Sequence, residues 1–483
     1  MIFSPPPVDH SKSAYQAAVM TASLRNLSKI ALSRAAETGR TIILALSFPA
    51  PVGDPLTWLS HQSATPAIYW HGRDGWEYAA AGAAHSISGR GPDAMLTTTA
   101  EAARFLQHNV VTEVASQSQS LCFFGGFAFD PPSATDDLWA DGGFIDALLV
   151  LPEALYFRRE HESYLVLAIV VTPLTTSEAI SIELKRLNDL YWRGFGPESE
   201  PTAMTFPQSL TLADDTGMER QSWVNAAAEI LQRIDRGELE KAVLARRQHW
   251  DGVPANPWGV AKALRRHTPG CHHFAFQFQK DRAFVGASPE RLLRLTERQL
   301  DSECLAGTIG RGANEDEDRE LAVRLLADAK NRQEHEYVVV GMRDALQPLC
   351  CRLDMPATPE IVTLATLQHL HTPMSATLKE NVPVGEVLSR LHPTPAVAGW
   401  PRVAAMQAIR GLERTSRGWY AAPVGWIGAD AAEFAVGIRS ALLTDRTAWL
   451  FAGAGLVKGS DPEDEWRETT DKLKAFLTAL QGW

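Results

Sequence analysis

The chain has 483 residues, a formal net charge of −11, 45% hydrophobic and 21% charged residues. That length allows two or three ordinary domains around a substantial core. The acidic balance argues against a general nucleic-acid role, because phosphate binding needs basic surface, and no run approaches the roughly 20 apolar residues of a membrane span. An acidic protein can still hold an anionic small molecule with a few converging cations. The five cysteines, Cys122, Cys271, Cys304, Cys350 and Cys351, form no CxxC pair. Adjacent Cys350 and Cys351 suit reduced thiols in a helix better than a zinc site or disulfide framework, and a cytoplasmic compartment is expected.

In chain order, the start Met1-Ile2-Phe3-Ser4-Pro5-Pro6-Pro7 lacks the basic and apolar regions of a secretory signal. Residues 11–36 are rich in Ser, Ala, Arg and Lys, which suits an amphipathic first helix or an organelle transit peptide. Strands are predicted at Thr41 to Ser47, Ala67 to Trp70 and Tyr164 to Val171, with helices at Thr98 to Leu106 and Glu178 to Tyr191. In Phe123-Phe124-Gly125-Gly126-Phe127 the glycine pair predicts a bent strand or a close backbone approach. From Arg193 to Thr216 the chain turns Pro-, Gly-, Ser- and acid-rich (Gly196-Pro197-Glu198-Ser199-Glu200-Pro201), the signature of a connecting loop. It separates an N-terminal part, residues 1–205, from a C-terminal part, residues 218–483, that carries the chemistry.

In the second part, Ser222 to Arg236 reads as a helix closed by Gly237. Lys241 to Arg246 alternates as a strand, with Lys241, Val243 and Ala245 on one face. Strands follow at His273 to Gln279, Arg282 to Gly286 and Leu292 to Thr296, then one long helix from Glu315 through Leu349. A further helix is expected after Pro393-Thr394-Pro395, strands at Pro423 to Ile427, Glu433 to Leu443 and Trp449 to Gly453, and a closing helix from Asp461. Strands in runs, then helices, indicate an α+β fold with antiparallel pairing.

Three segments carry candidate chemistry: Glu240-Lys241-Ala242-Val243-Leu244-Ala245-Arg246, the turn Gly286-Ala287-Ser288-Pro289-Glu290, and the helix Glu465-Trp466-Arg467-Glu468-Thr469. On that helix Glu465, Glu468 and Lys472 share a face, while Trp466, Leu473, Leu477 and Leu480 point to the core. Taken singly, a strand-edge lysine, a turn carboxylate and an ion-paired helix face are all ordinary surface features. Together the segments resemble the chorismate-utilising enzymes, which include anthranilate, aminodeoxychorismate, isochorismate and salicylate synthases. The resemblance spans roughly residues 220–480 and implies two layered, largely antiparallel sheets flanked by helices, with the N-terminal part adding strands and helices to a shared core.

Family members that use ammonia tend to carry glutamine where Lys241 stands, so the resemblance is to a water-adding member, most of all to the menaquinone- or phylloquinone-type isochorismate synthases. That reaction moves a hydroxyl: water attacks C2 of chorismate while the C4 hydroxyl leaves, and the equilibrium should lie near balance. It needs a general base and a general acid. The resemblance implies Lys241 as base, its pKa lowered by burial or by a cation such as Arg246, and Glu290 as acid, with a raised pKa.

It also implies Mg²⁺ on Glu334 and Glu468, with Glu465 acting through water; Asn331 stands where several relatives carry an acid. Arg439, in Glu433-Phe434-Ala435-Val436-Gly437-Ile438-Arg439-Ser440, is expected to clamp a substrate carboxylate from a strand, helped by the Tyr420 hydroxyl, Lys472 and the backbone N–H groups of a Gly453-Ala454-Gly455 loop. Thr308, which closes the segment Cys304-Leu305-Ala306-Gly307-Thr308, is expected to contact the substrate. His369 either faces the ring or makes a structural hydrogen bond.

Ala306 takes the place of the nucleophilic lysine of many aminodeoxychorismate synthases. Leu391-His392-Pro393-Thr394-Pro395-Ala396-Val397-Ala398-Gly399 is closer to isochorismate than to salicylate synthases. A salicylate synthase, which goes on to eliminate pyruvate, and an inactive chorismate-binding subunit remain as alternatives. A water-user needs no glutamine amidotransferase, and a monomer or weak homodimer is expected.

Overall fold

The computed structural model describes residues 13–112, 121–131, 137–195, 210–213, 218–253 and 256–481. The segment Gly196-Pro197-Glu198-Ser199-Glu200-Pro201, most of the expected connecting loop, and the first residues of the chain lie outside them. No helix among the described residues is long and apolar enough to cross a membrane.

Two large sheets, one of 13 strands and one of 10 among the described residues, make the framework. Both mix strands from the two parts of the chain. In the larger sheet Ala67–His71 pairs with His272–Gln279, and in the smaller Phe123–Phe127 pairs with Pro423–Ile427. Pairing is antiparallel apart from Ile42–Pro49 against Val110–Thr112. Strict alternation explains how the larger sheet is buried on both sides. Ile43 and Ala45 join the core between the sheets, whereas Ile42, Leu44 and Leu46 join a second core under the outer helices. A third cluster packs Trp223, Ala227 and Ile230 of helix Met218–Asp235 against Ala242, Leu244, Ala454 and Leu456.

The predicted glycine pair works by close approach. A Cβ on Gly125 would lie 1.8 Å from the Leu148 carbonyl oxygen, and one on Gly126 2.8 Å from the Trp419 ring. Helix Met218–Asp235 ends as expected, with Gly237 at φ +71.

Four local expectations are corrected. The long helix is two helices, Glu315–Ala327 and Ala329–Leu346, broken where the extended Asp328 caps the second by accepting from Asn331 N. Cys350 and Cys351 open the strand Cys350–Asp354 instead of lying in a helix, and both are free thiols. The single strand expected from Glu433 to Leu443 is two, Ala431–Val436 in the smaller sheet and Ser440–Thr444 in the larger. Gly453 and Gly455 lie inside the strand Thr447–Val457 and not in a loop. The strand Leu367–Leu378 was not anticipated as an element, and it pairs along its whole length with Gln299–Gly310.

Candidate active site

Two chain crossovers between the sheets define one wall of the site. The first runs from strand Arg282–Ser288 to strand Arg291–Thr296 and carries Glu290; the second runs from Val436 to Ser440 and carries Arg439. They brace each other: Val436 N donates to the Glu290 carbonyl at 3.1 Å, and Ala287 N donates to the Arg439 carbonyl at 3.1 Å. Arg439 has φ +51, a left-handed conformation costly for a side-chain-bearing residue and typical of functional positions. It therefore reaches the site from a turn, not from a strand.

Lys241 opens strand Lys241–Asp251 and is fully buried. Its Nζ lies 3.0 Å from Glu334 Oε1 of helix Ala329–Leu346. Arg246 is not its neighbour. Five residues along an alternating strand its side chain emerges on the opposite face, stacked 3.7 Å over the Trp466 ring and donating to Thr469 Oγ1 at 2.6 Å. It ties the terminal helix, Pro462–Gln481, to the strand that bears Lys241.

Glu290 is 4% exposed, and its carboxyl is pushed up to about 8. Burial is the main cause; the nearby Glu303 adds to it, and Lys241 and Lys472 oppose it. A carboxyl held this way is protonated at neutral pH and able to donate.

On the terminal helix the predicted face is realised. Lys472 Nζ lies 2.6 Å from Glu468 Oε1 and donates to the Gly453 carbonyl at 2.9 Å. Glu465 Oε1 accepts from Lys330 at 2.6 Å and from Ser460 at 2.8 Å. Burial and the neighbouring Glu468 raise the Glu465 carboxyl. Burial also opposes charge on Glu468, but Lys472, Lys330 and Arg439 outweigh it and hold that carboxyl below its ordinary value.

The remaining predicted residues converge here. The Tyr420 hydroxyl is pushed up to about 12, chiefly by burial, and its ring stacks on Phe451 with centroids 5.3 Å apart. It stays a neutral donor. His369 Nδ1 lies 3.0 Å from Thr308 Oγ1 and 3.3 Å from the Gly307 carbonyl, while its buried Nε2 has no partner among the described residues. The structural hydrogen bond is thus present on one nitrogen. Burial, then Arg439 and Lys472, depress it to about 3, so the ring is neutral. Asn331 is committed to structure: Oδ1 accepts from Thr308 N at 3.0 Å and Nδ2 donates to Asp328 at 2.8 Å. Arg439, pressed down by burial, makes no side-chain ion pair among the described residues. With Lys472, Thr268, Cys271, Pro289 and Phe476 it lines a small pocket.

The donor set suits Mg²⁺. Among the described residues no three histidine, cysteine or acidic groups converge tightly enough to hold a metal by themselves. Mg²⁺ needs only one or two carboxylates, because it keeps waters and takes substrate oxygens. Glu334 and Glu468 offer all-oxygen donors, and the charge crowding that raises Glu465 is what a divalent cation relieves.

A chorismate binding enzyme family model matches residues 30–481. The chain belongs to the chorismate-binding enzymes. Within that family it is 35% identical to the salicylate biosynthesis isochorismate synthase of Pseudomonas aeruginosa, over 95% of this chain and 94% of that protein. It is 30% identical to isochorismate synthase MenF of Escherichia coli, over 96% of this chain and 99% of that one. The structure of the menaquinone-specific MenF from E. coli superposes with a TM-score of 0.76 and 29% identity, covering 96% of this chain and all of the other. Anthranilate synthase component I from Streptococcus pneumoniae, 20% identical with a TM-score of 0.67, shares the fold.

Around this candidate site, sequence reasoning missed Lys330, Glu303, His371 and Arg73. Lys330 lay in plain view one turn before Glu334. Nothing local marks Arg73, 230 residues from its partner Glu303. A glycine supplies a sharp test: a Cβ on Gly455 would lie 2.6 Å from Glu334 Oε1 and 2.9 Å from Lys241 Cε. Gly455→Ala is expected to separate that pair at a cost of about 1–3 kcal/mol, read as a lowered melting temperature and a higher Mg²⁺ concentration for half-maximal rate.

Proposed function

We propose that this chain is an isochorismate synthase that converts chorismate to isochorismate reversibly. The observation that carries the reading is a fully buried lysine acting on a buried carboxyl that is pushed up to about 8, with Pro289, next to that carboxyl, lining the same pocket as Arg439 and Lys472. Arg439 clamps a substrate carboxylate, with the Tyr420 hydroxyl donating to the same group. Lys241 takes a proton from water as its oxygen bonds to C2. The ring double bonds shift and the C4–O bond breaks. Glu290 gives its proton to the departing oxygen, so water leaves as water entered. In the reverse direction the two groups exchange roles. The neutral His369, with Nε2 free, accepts a hydrogen bond from a substrate hydroxyl beside Thr308. Mg²⁺, held by Glu334 and Glu468 with Glu465 through water, would neutralise substrate carboxylate charge.

Water as nucleophile calls for no ammonia-supplying subunit, and the chain is proposed to act alone as a monomer or weak homodimer in the cytoplasm. Full-length similarity to the menaquinone-specific MenF supports a quinone precursor as the fate of the product. The 35% identity to the P. aeruginosa protein favours a second fate, salicylate biosynthesis.

Incubation with chorismate and Mg²⁺, with products resolved by chromatography, tests the reading. Isochorismate approaching a balance with chorismate is expected. Chelation should lower the rate by about 10²-fold or more, with recovery on adding Mg²⁺. Salicylate and pyruvate would instead indicate a salicylate synthase, and binding without conversion an inactive subunit.

A further inference from the structure

Behind the Glu290 crossover lies a polar network that the reaction scheme leaves unused. Glu303, 5% exposed on strand Gln299–Gly310, accepts from Arg291 N at 2.8 Å, so it holds the residue next to Glu290. The same carboxylate oxygen meets Arg73, which also donates to the Pro289 carbonyl at 3.3 Å. Its other oxygen lies 3.1 Å from His371 Nε2, and His371 Nδ1 lies 3.0 Å from Glu360. Arg73 belongs to the turn after strand Ala67–His71 in the N-terminal part of the chain. The adjacent Asp74 reaches Arg294 at 3.0 Å, so this turn holds the crossover and the strand that follows it.

We propose that Glu303, clamped by Arg73 and His371, is a positioning residue that fixes the Pro289–Arg291 backbone and keeps a negative charge beside Glu290. The inference rests on the reading of Glu290 as the acid. Burial disfavours charge on Glu303, but His371, Arg73 and Arg291 N prevail and hold it down to about 2. Hydrogen bonds to Glu303 and Glu360 likewise outweigh burial and raise His371 above its ordinary value. The groups that act on Glu290 are Glu303, Lys241 and Lys472, and Glu303 alone among them favours its protonated form. A fixed carboxylate at this point therefore does two jobs: it sets the direction of the acid and it retains the proton.

Glu303→Gln keeps the acceptor for Arg291 N–H but removes the charge. The Glu290 carboxyl, followed by carbon-13 NMR with Glu290→Gln for assignment, is expected to titrate about one pH unit lower, and the alkaline limb of kcat should fall by the same amount with little change in KM. Arg73→Gln loosens the clamp but leaves Glu303 charged, and should lower kcat with the limb near its wild-type position; Glu303→Ala should cost about 10²-fold in kcat through a misplaced acid. A lesion of folding alone would not move the limb in Glu303→Gln and spare it in Arg73→Gln. An unchanged Glu290 titration in Glu303→Gln would overturn the proposal even if the wild type is fully active. Failure of the wild type to form isochorismate would overturn the functional reading, and the positioning role with it.

Discussion

Lys241→Ala is expected to reduce turnover by about 10³-fold or more, in line with the loss of a general base, while chorismate binding measured by calorimetry changes little. The split follows from geometry. Lys241 is fully buried with its Nζ against Glu334, whereas the residues placed to hold the substrate come from other segments: Tyr420 precedes strand Pro423–Ile427 and Arg439 follows strand Ala431–Val436. Truncation leaves Glu334 without its lysine, but this side chain keeps 17% of its surface in contact with solvent and the metal is proposed to bind there. The fold should survive, since Ala242 and Leu244 anchor the strand in the third core cluster. A near-normal rate would remove Lys241 as the base.

Glu290→Gln should cost a comparable factor, about 10²- to 10⁴-fold, because an amide keeps the shape and cannot release the proton. The pH dependence has a definite sign. Glu290 works protonated and titrates at about 8, so wild-type kcat should fall as pH rises through that value. The same shift bears on stability. A carboxyl whose pKa is raised by folding binds more protons in the folded state, so stability declines as pH climbs from the ordinary carboxylate range towards about 8. Glu290→Gln has no such charge to bury, and at pH above 8 it should melt at a higher temperature than the wild type. A variant less stable and equally active in alkali would exclude both the acid role and the buried protonated state.

Features set by near neighbours were legible in the sequence. The apolar run within Thr41 to Ser47 predicts a strand, found at Ile42–Pro49; spacing of three and four predicts the Glu465, Glu468 and Lys472 face, with Leu473 and Leu480 turned to the core. Gly237 marks a helix end because only a left-handed residue closes it there. The segments around Lys241, Glu290 and the terminal helix carry enough specific residues to indicate a family. In each case the physics is confined to a few adjacent residues, so the pattern survives in one dimension.

What the tertiary structure decided depends on partners far along the chain. The break at Asp328 needed its side chain to choose the Asn331 N–H over helix continuation, and the turn at Arg439 needed two sheets to cross. Arg246 was misplaced as a neighbour of Lys241 because proximity along a strand is not proximity in space; alternation sends it to the terminal helix. The Arg73–Glu303 contact joins residues 230 apart, and no local periodicity encodes it. The sequence by itself determined which side chains can donate, accept or carry charge. Only the packing of two shared sheets decided which of them are deprived of water together, and that loss of water is what keeps a proton on Glu290 and a lysine beside Glu334.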